Sequence, residues 1–247
     1  MGPPRTIAVW CPDWPVAAAC IDNMASLPGA ADAAGHAATI AELPVAVVTA
    51  NRVVASSHAA RSAGVLRGLR RREAQARCPK LVVLARNEAA EARLFEPVVA
   101  ALESIAPGVE ITRPGLAAIG ARGPTRYFGG EPGVLHALSR ALANRAAPAS
   151  RNTGAAAAQL PDVLIGIADG TFAAEQAARR GLIVDRCGSP AFLAPMPIET
   201  LDPSGASTLI DLLRRLGLLT LGAFAALPAR DVLARFGPDG AWAHRQA

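Results

Sequence analysis

Val53-Val54-Ala55-Ser56-Ser57-His58-Ala59-Ala60-Arg61-Ser62-Ala63-Gly64-Val65-Leu66-Arg67-Gly68-Leu69, followed closely by Arg72-Glu73-Ala74-Gln75-Ala76-Arg77-Cys78-Pro79, decides how this chain is read. Residues 52–57 are rich in β-formers, as are residues 44–49 before them, so the two segments predict a hairpin around Ala50-Asn51. That pair is a non-ideal turn, since Asn-Gly or Asp-Gly is what a tight hairpin favours. Residues 81–84 are a further candidate strand. Arg67, Arg70, Arg71, Arg72 and Arg77 crowd positive charge into the same region. Such a patch suits phosphate contact, which asks only for charge and donors, and it equally suits a solvated helix face.

Before this stretch, residues 6–10 form a short apolar run ended by Pro12 and Pro15, which reads as a buried strand, and residues 16–24 follow as a short helix. Residues 28–38 are a low-complexity run of small residues, taken as a surface loop. After it, Leu94, Val98, Leu102 and Ile105 recur at helical spacing from Glu88 onward, with Pro97 expected to kink the helix or to mark its first turn. Two strands, 109–112 and 116–120, flank Arg113-Pro114-Gly115. A helix over 133–145 rests on Leu135, Leu138 and Leu142. Residues 146–160 are another Ala-rich loop, and 163–168 resume as a strand. Strand, helix, strand, strand, helix, strand is the order of a ferredoxin-like sheet, here with 28–86 inserted into it.

The last third is different in kind. Residues 207–216 carry Leu209, Leu212, Leu213 and Leu216 on one predicted face, with Gly217 where a helix-ending glycine belongs. Thr220 predicts the N-cap of a second helix that Pro228 stops, and Gly237 ends a third over 229–236. Short helices separated by glycines read as a small domain of helix-hairpin-helix type.

Composition narrows the function classes. The chain has 247 residues, 51% of them hydrophobic and 18% charged, which describes a globular protein with room for one large or a few small domains. No run reaches the roughly 18 to 20 apolar residues of a spanning helix, so no membrane partner is expected. Met1-Gly2-Pro3-Pro4-Arg5-Thr6 formally fits a myristoylation pattern, which its two prolines make a coincidence. The apolar run at 7–10 is too short for a secretory leader, and a cytoplasmic protein is expected. Net charge is +5 with Lys80 the only lysine, an arginine-based balance that favours a polyanionic partner. Cys11, Cys20, Cys78 and Cys187, and His36, His58, His136 and His244, fall into no zinc-ligand spacing, so no metal or other cofactor is expected.

Read together, these pieces resemble the Y-family DNA polymerases. The stretch from Val53 to Pro79 resembles that family's fingers signature, in which an aromatic and an arginine grip the incoming triphosphate ahead of a G-V-x-x-G-M turn and an E-A-x-x-x-C-P helix. On that resemblance Arg61 stands for the phosphate-contacting arginine, and His58 stands where a tyrosine is usual. Ile7-Ala8-Val9-Trp10-Cys11-Pro12-Asp13-Trp14 falls on the first palm strand, with Trp14 at the aromatic steric-gate position and Val9 in place of the first metal-binding aspartate. Residues 105–110 resemble the lead-in to the S-I-D-E-A strand. There Arg113-Pro114-Gly115-Leu116-Ala117 replaces the motif, putting Gly115 and Leu116 at the remaining carboxylate positions. Ile165-Gly166-Ile167-Ala168 and Phe172-Ala173-Ala174 resemble the segment V-G-I-A-x-N-K-x-x-A-K, whose final lysine matches Glu175.

The resemblance implies an α+β fold: a ferredoxin-like palm (1–12 and 87–180) with inserted fingers (13–86), and a helical thumb (181–247) that ends before a little finger. The Trp10-Cys11-Pro12-Asp13-Trp14-Pro15 start and the segment 213–228 most resemble ImuB-type proteins of actinobacteria, which are catalytically inactive relatives. It further implies a hub of mutagenic translesion synthesis whose partners are DNA, the sliding clamp, an ImuA-type protein and an error-prone C-family polymerase. Val, Gly and Leu side chains offer no oxygen to Mg²⁺, so no catalytic residue is expected. Asp13 lies past a proline turn and is read as exposed or capping, and Glu110, five residues before Gly115, as an edge or structural residue. Asp169 and Glu175 put negative charge where relatives keep basic phosphate contacts. Arg214, Arg215, Arg230 and Arg235 are the candidate duplex contacts. Two other readings stay open: an active translesion polymerase with displaced ligands, and a plain DNA-binding module.

Overall fold

A computed structural model describes residues 2–23, 27, 43–144, 163–202 and 207–247; the loops expected at 28–38 and 146–160 lie outside them. The chain makes two compact units, Val9–Leu164 and Met1–Ala8 with Ile165–Ala247. The larger unit contains α1 (Trp14–Asp22), β2 (Val45–Thr49), β3 (Arg52–Ser56), α2 (His58–Ser62), α3 (Arg71–Arg77), β4 (Val82–Ala85) and α4 (Glu88–Glu103). It continues with β5 (Glu110–Arg113), β6 (Leu116–Gly120), α5 (Arg122–Tyr127) and α6 (Glu131–Asn144). The smaller unit has β7 (Leu164–Asp169), α7 (Thr171–Ala178), α8 (Ser189–Leu193), a 3₁₀ turn (Ile198–Leu201), α9 (Thr208–Arg215), α10 (Leu221–Ala225) and α11 (Ala229–Gln246). Strand β1 (Arg5–Trp10) is common to both. Strand order is β5-β6-β1 in the larger unit and β1-β7 in the smaller, the neighbour pattern of a ferredoxin-like sheet.

The deciding stretch folds as its residues dictate. β2 and β3 pair antiparallel across Ala50 and Asn51, both left-handed at φ 46° and 63°, and β4 adds to β2 in parallel. The primed turn that the hairpin needs is thus made without glycine. Both faces of β2 are covered: Ala46 packs with Val53, Ala60, Val65, Ala74, Cys78 and Leu81, while Val45 and Val47 pack with Val16, Ala19, Cys20 and Leu27. Helix α2 ends in a Schellman motif. Gly64 at φ +80° donates its N–H to the Arg61 carbonyl, and buried Val65 donates to the Ala60 carbonyl. This is the physical content of the Gly-Val pair. Gly68, at φ +89°, donates to the Val53 carbonyl and returns the chain to the sheet edge.

Some local expectations shift. Helix α4 is capped by Asn87, whose Oδ1 accepts from the Ala90 N–H at 3.1 Å, and it buries Phe95, Val98 and Leu102 in place of the expected stripe through Leu94. Pro97 lies inside the helix, well past its first turn. In α9 the buried residues are Ile210 and Leu213, whereas Leu212 and Leu216 are 43% and 51% exposed; the expected leucine face is therefore rotated. Gly217 does end this helix: its N–H and that of Leu218 reach the carbonyls of Arg214 and Leu213. Thr220 caps α10 through the Ala223 N–H at 3.2 Å. Gly237 leaves the helical conformation within α11 at φ 66°, ψ −163°, as the expected stop, and the helix resumes at Pro238. Among the described residues no helix is long and apolar enough to cross a membrane.

Candidate functional site

Val9 near the end of β1 and Leu116 at the start of β6 are both buried, at 0% and 1% exposure. Gly115 follows Pro114 in the tight turn joining β5 to β6, at φ +89°, the position of a Pro-Gly turn that demands positive φ. The Cys11 N–H donates to the Gly115 carbonyl at 2.8 Å, which brings this turn against the residues just after β1. The three positions therefore present two hydrocarbon side chains and a bare backbone. They do not fit a divalent metal, which takes oxygen ligands. Among the described residues no group of three or more His, Cys, Asp or Glu side chains is placed to hold a metal ion.

Trp14 explains why position 115 carries no side chain. A Cβ at Gly115 would lie 2.4 Å from the Trp14 Cβ and 2.7 Å from its Cγ, inside any van der Waals contact. The tryptophan cannot move aside cheaply. It is 1% exposed, stands edge-on to Phe95 at 5.3 Å between centroids, and donates its indole N–H to the Glu91 carbonyl at 3.0 Å. Glu91 is itself buried and receives both Nε and Nη2 of Arg86, at 2.9 and 3.1 Å. Those hydrogen bonds hold the Arg86 guanidinium above its ordinary pKa.

Asp13 lies at the start of α1, His58 at the start of α2 and Arg61 in the last turn of α2. Asp13 occupies the N-cap position of α1 at φ 48°, yet its side chain makes no cap bond. Its carboxylate takes Arg61 in a bidentate pair, Nη1 to Oδ1 at 2.9 Å and Nη2 to Oδ2 at 2.8 Å, and Arg61 also reaches the Ser56 carbonyl. The capping alternative for Asp13 is thereby corrected: the arginine outcompetes the helix N–H groups. His58 begins α2 exposed, beside Ser57, whose Oγ accepts from the Ala60 and Val45 N–H groups and donates to the Leu43 carbonyl. Sequence reading missed the Asp13–Arg61 pair because 48 positions separate its members.

The remaining candidates are spread out. Glu110 is exposed on edge strand β5. Asp169 accepts from the Cys187 N–H at 2.6 Å and pairs with Arg5 at 3.4 Å, so its charge is used within the smaller unit, where Glu175 lies on α7. Arg214 pairs with Glu199 at 3.0 Å and Arg230 with Asp231 at 3.4 Å. Arg215 and Arg235 are exposed on α9 and α11.

Sheet order, hairpin and helices together define a Y-family polymerase fold. The insertion ternary complex of Dbh DNA polymerase superposes with a TM-score of 0.69 at 16% identity, covering 98% of this chain and 66% of that one. DinB from Sulfolobus solfataricus superposes at 0.65 with 17% identity over the same shares of the two chains. The chain thus spans 66% of the length of the solved structures it matches. No curated protein matches it by sequence. Residues 30–160, more than half of the chain, match the impB/mucB/samB family, and the chain belongs to that family.

Proposed function

We propose that this protein is a non-catalytic Y-family homologue that serves as a DNA- and protein-binding adaptor in damage-induced, mutagenic translesion synthesis. The observation that carries the reading is the packing of Trp14 against Gly115. A missing carboxylate alone is one substitution from return, but here the space for its Cβ is filled by the Cβ and ring edge of a buried tryptophan. Metal-assisted phosphoryl transfer draws much of its rate from charge neutralisation by bound cations, and Val9, Gly115 and Leu116 supply nothing to hold them.

The nucleotide-binding remnant is reduced in the same sense. Arg61 keeps its place but has a carboxylate in its fork, and Trp14 serves the core. Binding functions make smaller demands, because phosphate contacts need only exposed donors and positive charge, which Arg215 and Arg235 offer and Arg214 and Arg230 share with their carboxylates. We read residues 1–12 and 87–180 as palm, 13–86 as fingers and 181–247 as thumb. The resemblance to ImuB-type proteins supplies the partners: sliding clamp, ImuA-type protein and error-prone C-family polymerase.

Primer extension tests the catalytic half. Purified protein with Mg²⁺ or Mn²⁺, a primed template and all four deoxynucleotides should give no product. Extension that chelator abolishes and that a mock preparation lacks overturns the reading. Co-purification of the three partner classes with the tagged protein tests the adaptor half, and failure to retain any of them removes it.

A further inference from the structure

Outside the vacated metal positions, the larger unit has an open hollow of about 500 Å³ lined by Asn51, Arg70, Arg71, Arg72 and Gln75. All five are exposed. The lining carries three guanidinium forks and two carboxamides, with no carboxylate among them. Glu73, the acid in the first turn of α3, is already taken by Arg77 at 3.0 Å. Among the described residues no ion pair is formed by Arg70, Arg71 or Arg72.

The frame around these arginines is fixed. The Asn51 carbonyl at the hairpin tip accepts the Arg71 N–H at 3.0 Å, and Arg52 and Arg70 form a backbone bridge. The Arg52 guanidinium donates to the Gly68 carbonyl at 2.8 Å. The hairpin tip and the start of α3 are thus tied together by backbone bonds, and the arginine side chains project from a set base. Like charges at three consecutive positions repel one another, an arrangement that a polyanion relieves.

We propose that this hollow binds the phosphodiester backbone of a nucleic-acid strand, an inference that rests on the DNA-binding reading above and gives it a surface. Guanidinium forks match phosphate oxygens in a bidentate geometry. No aromatic ring lines the hollow, so bases are not stacked there and binding is independent of sequence. Three adjacent forks suit successive phosphates of one strand better than a single small anion. An acidic protein surface is the competing occupant, and its carboxylates are the outcome to be tested.

The test is fluorescence anisotropy with the whole chain and a labelled 20-nucleotide oligothymidine over a salt series. R70A/R71A/R72A should weaken binding severalfold and lower the slope of log affinity against log salt by about 2, at roughly 0.7 per single-strand phosphate. R70Q/R71Q/R72Q keeps a polar hydrogen-bonding end without the charge, should show the same loss, and stands in if the alanine variant does not fold. R70K/R71K/R72K should keep the slope. Wild-type affinity in both neutral variants overturns the hollow and leaves the DNA-binding reading intact. Absence of wild-type binding overturns both. Polyglutamate that displaces the oligonucleotide at equal charge overturns the choice of nucleic acid, and inorganic phosphate that does so at equal phosphate reduces the hollow to an isolated anion site.

Discussion

The guanidinium of Arg61 and the carboxylate of Asp13 close a two-bond fork at 2.9 and 2.8 Å. It is the geometry in which an arginine grips a phosphate, and here the protein's own side chain fills it. Each side chain is 41% exposed, so the pair itself contributes at most about 1 kcal/mol and is weakened by salt.

Asp13→Asn should therefore raise the affinity for a deoxynucleoside triphosphate without a large loss of stability. Asparagine tolerates the left-handed backbone found here at φ 48°. Removing a competitor worth about 0.2–1 kcal/mol predicts a gain of roughly 1.4- to fivefold. Calorimetric titration with dATP in chelator checks this, and D13N/R61A should erase the gain. An unchanged affinity in D13N means that Arg61 is no longer a phosphate ligand.

Gly115→Ala should destabilise the larger unit by about 2–4 kcal/mol, through overpacking and strain at positive φ. The added Cβ meets Trp14 at 2.4 Å on a backbone at φ +89°. Urea unfolding followed by tryptophan fluorescence measures the loss. Gly115→Asp should be at least as damaging and should restore no primer extension. A neutral G115A shows that Trp14 yields, and reopens position 115 to a ligand.

The sequence carried the fold because its decisive stretch is governed by local rules. The Gly64-Val65 cap and the hairpin pairing of residues 45–49 with 52–56 follow from residue type and spacing. What was hidden is what the tertiary structure decides. Nothing near Asp13 announces Arg61, and nothing near Gly115 announces the Trp14 ring, since each contact joins elements distant in the chain. Helix α9 misled for a different reason: four leucines suggested a face, but the domain buries Ile210 and Leu213 and leaves Leu212 and Leu216 exposed. Periodicity finds an amphipathic helix more reliably than it finds which edge of the stripe is covered.

The thiols should separate by exposure. Cys187 is exposed, while Cys11, Cys20 and Cys78 are buried. Burial pushes the Cys20 thiol up from 9.0 to about 11 by disfavouring its thiolate. A disulfide reagent at pH 8 should modify Cys187 at once and the others only as the chain unfolds. Above the ordinary thiol pKa the unfolded chain ionises Cys20 while the folded chain does not. Its contribution to stability is therefore complete below pH 9 and is lost as pH rises towards about 11. Rapid labelling of more than one thiol in the native protein contradicts this assignment.

On the smaller unit, Arg214 and Arg215 are consecutive, but among the described residues only Arg214 shares its charge with a carboxylate. Glu199 holds Arg214 at 3.0 Å, whereas Arg215 is exposed in the last turn of α9. A DNA phosphate must displace Glu199 to use Arg214 fully, so the two arginines should contribute unequally. R215A should lower the salt slope of duplex binding by about 0.9, the double variant R214A/R215A by at most about 2, and both should weaken unrelated sequences alike. Glu199→Gln should strengthen binding, because it releases Arg214 and removes a negative charge facing the phosphate. Fluorescence anisotropy with two unrelated duplexes across a salt series measures all three. Equal slopes for wild type and the double variant, together with no gain in E199Q, assign these arginines to the fold of the helical domain or to a protein partner.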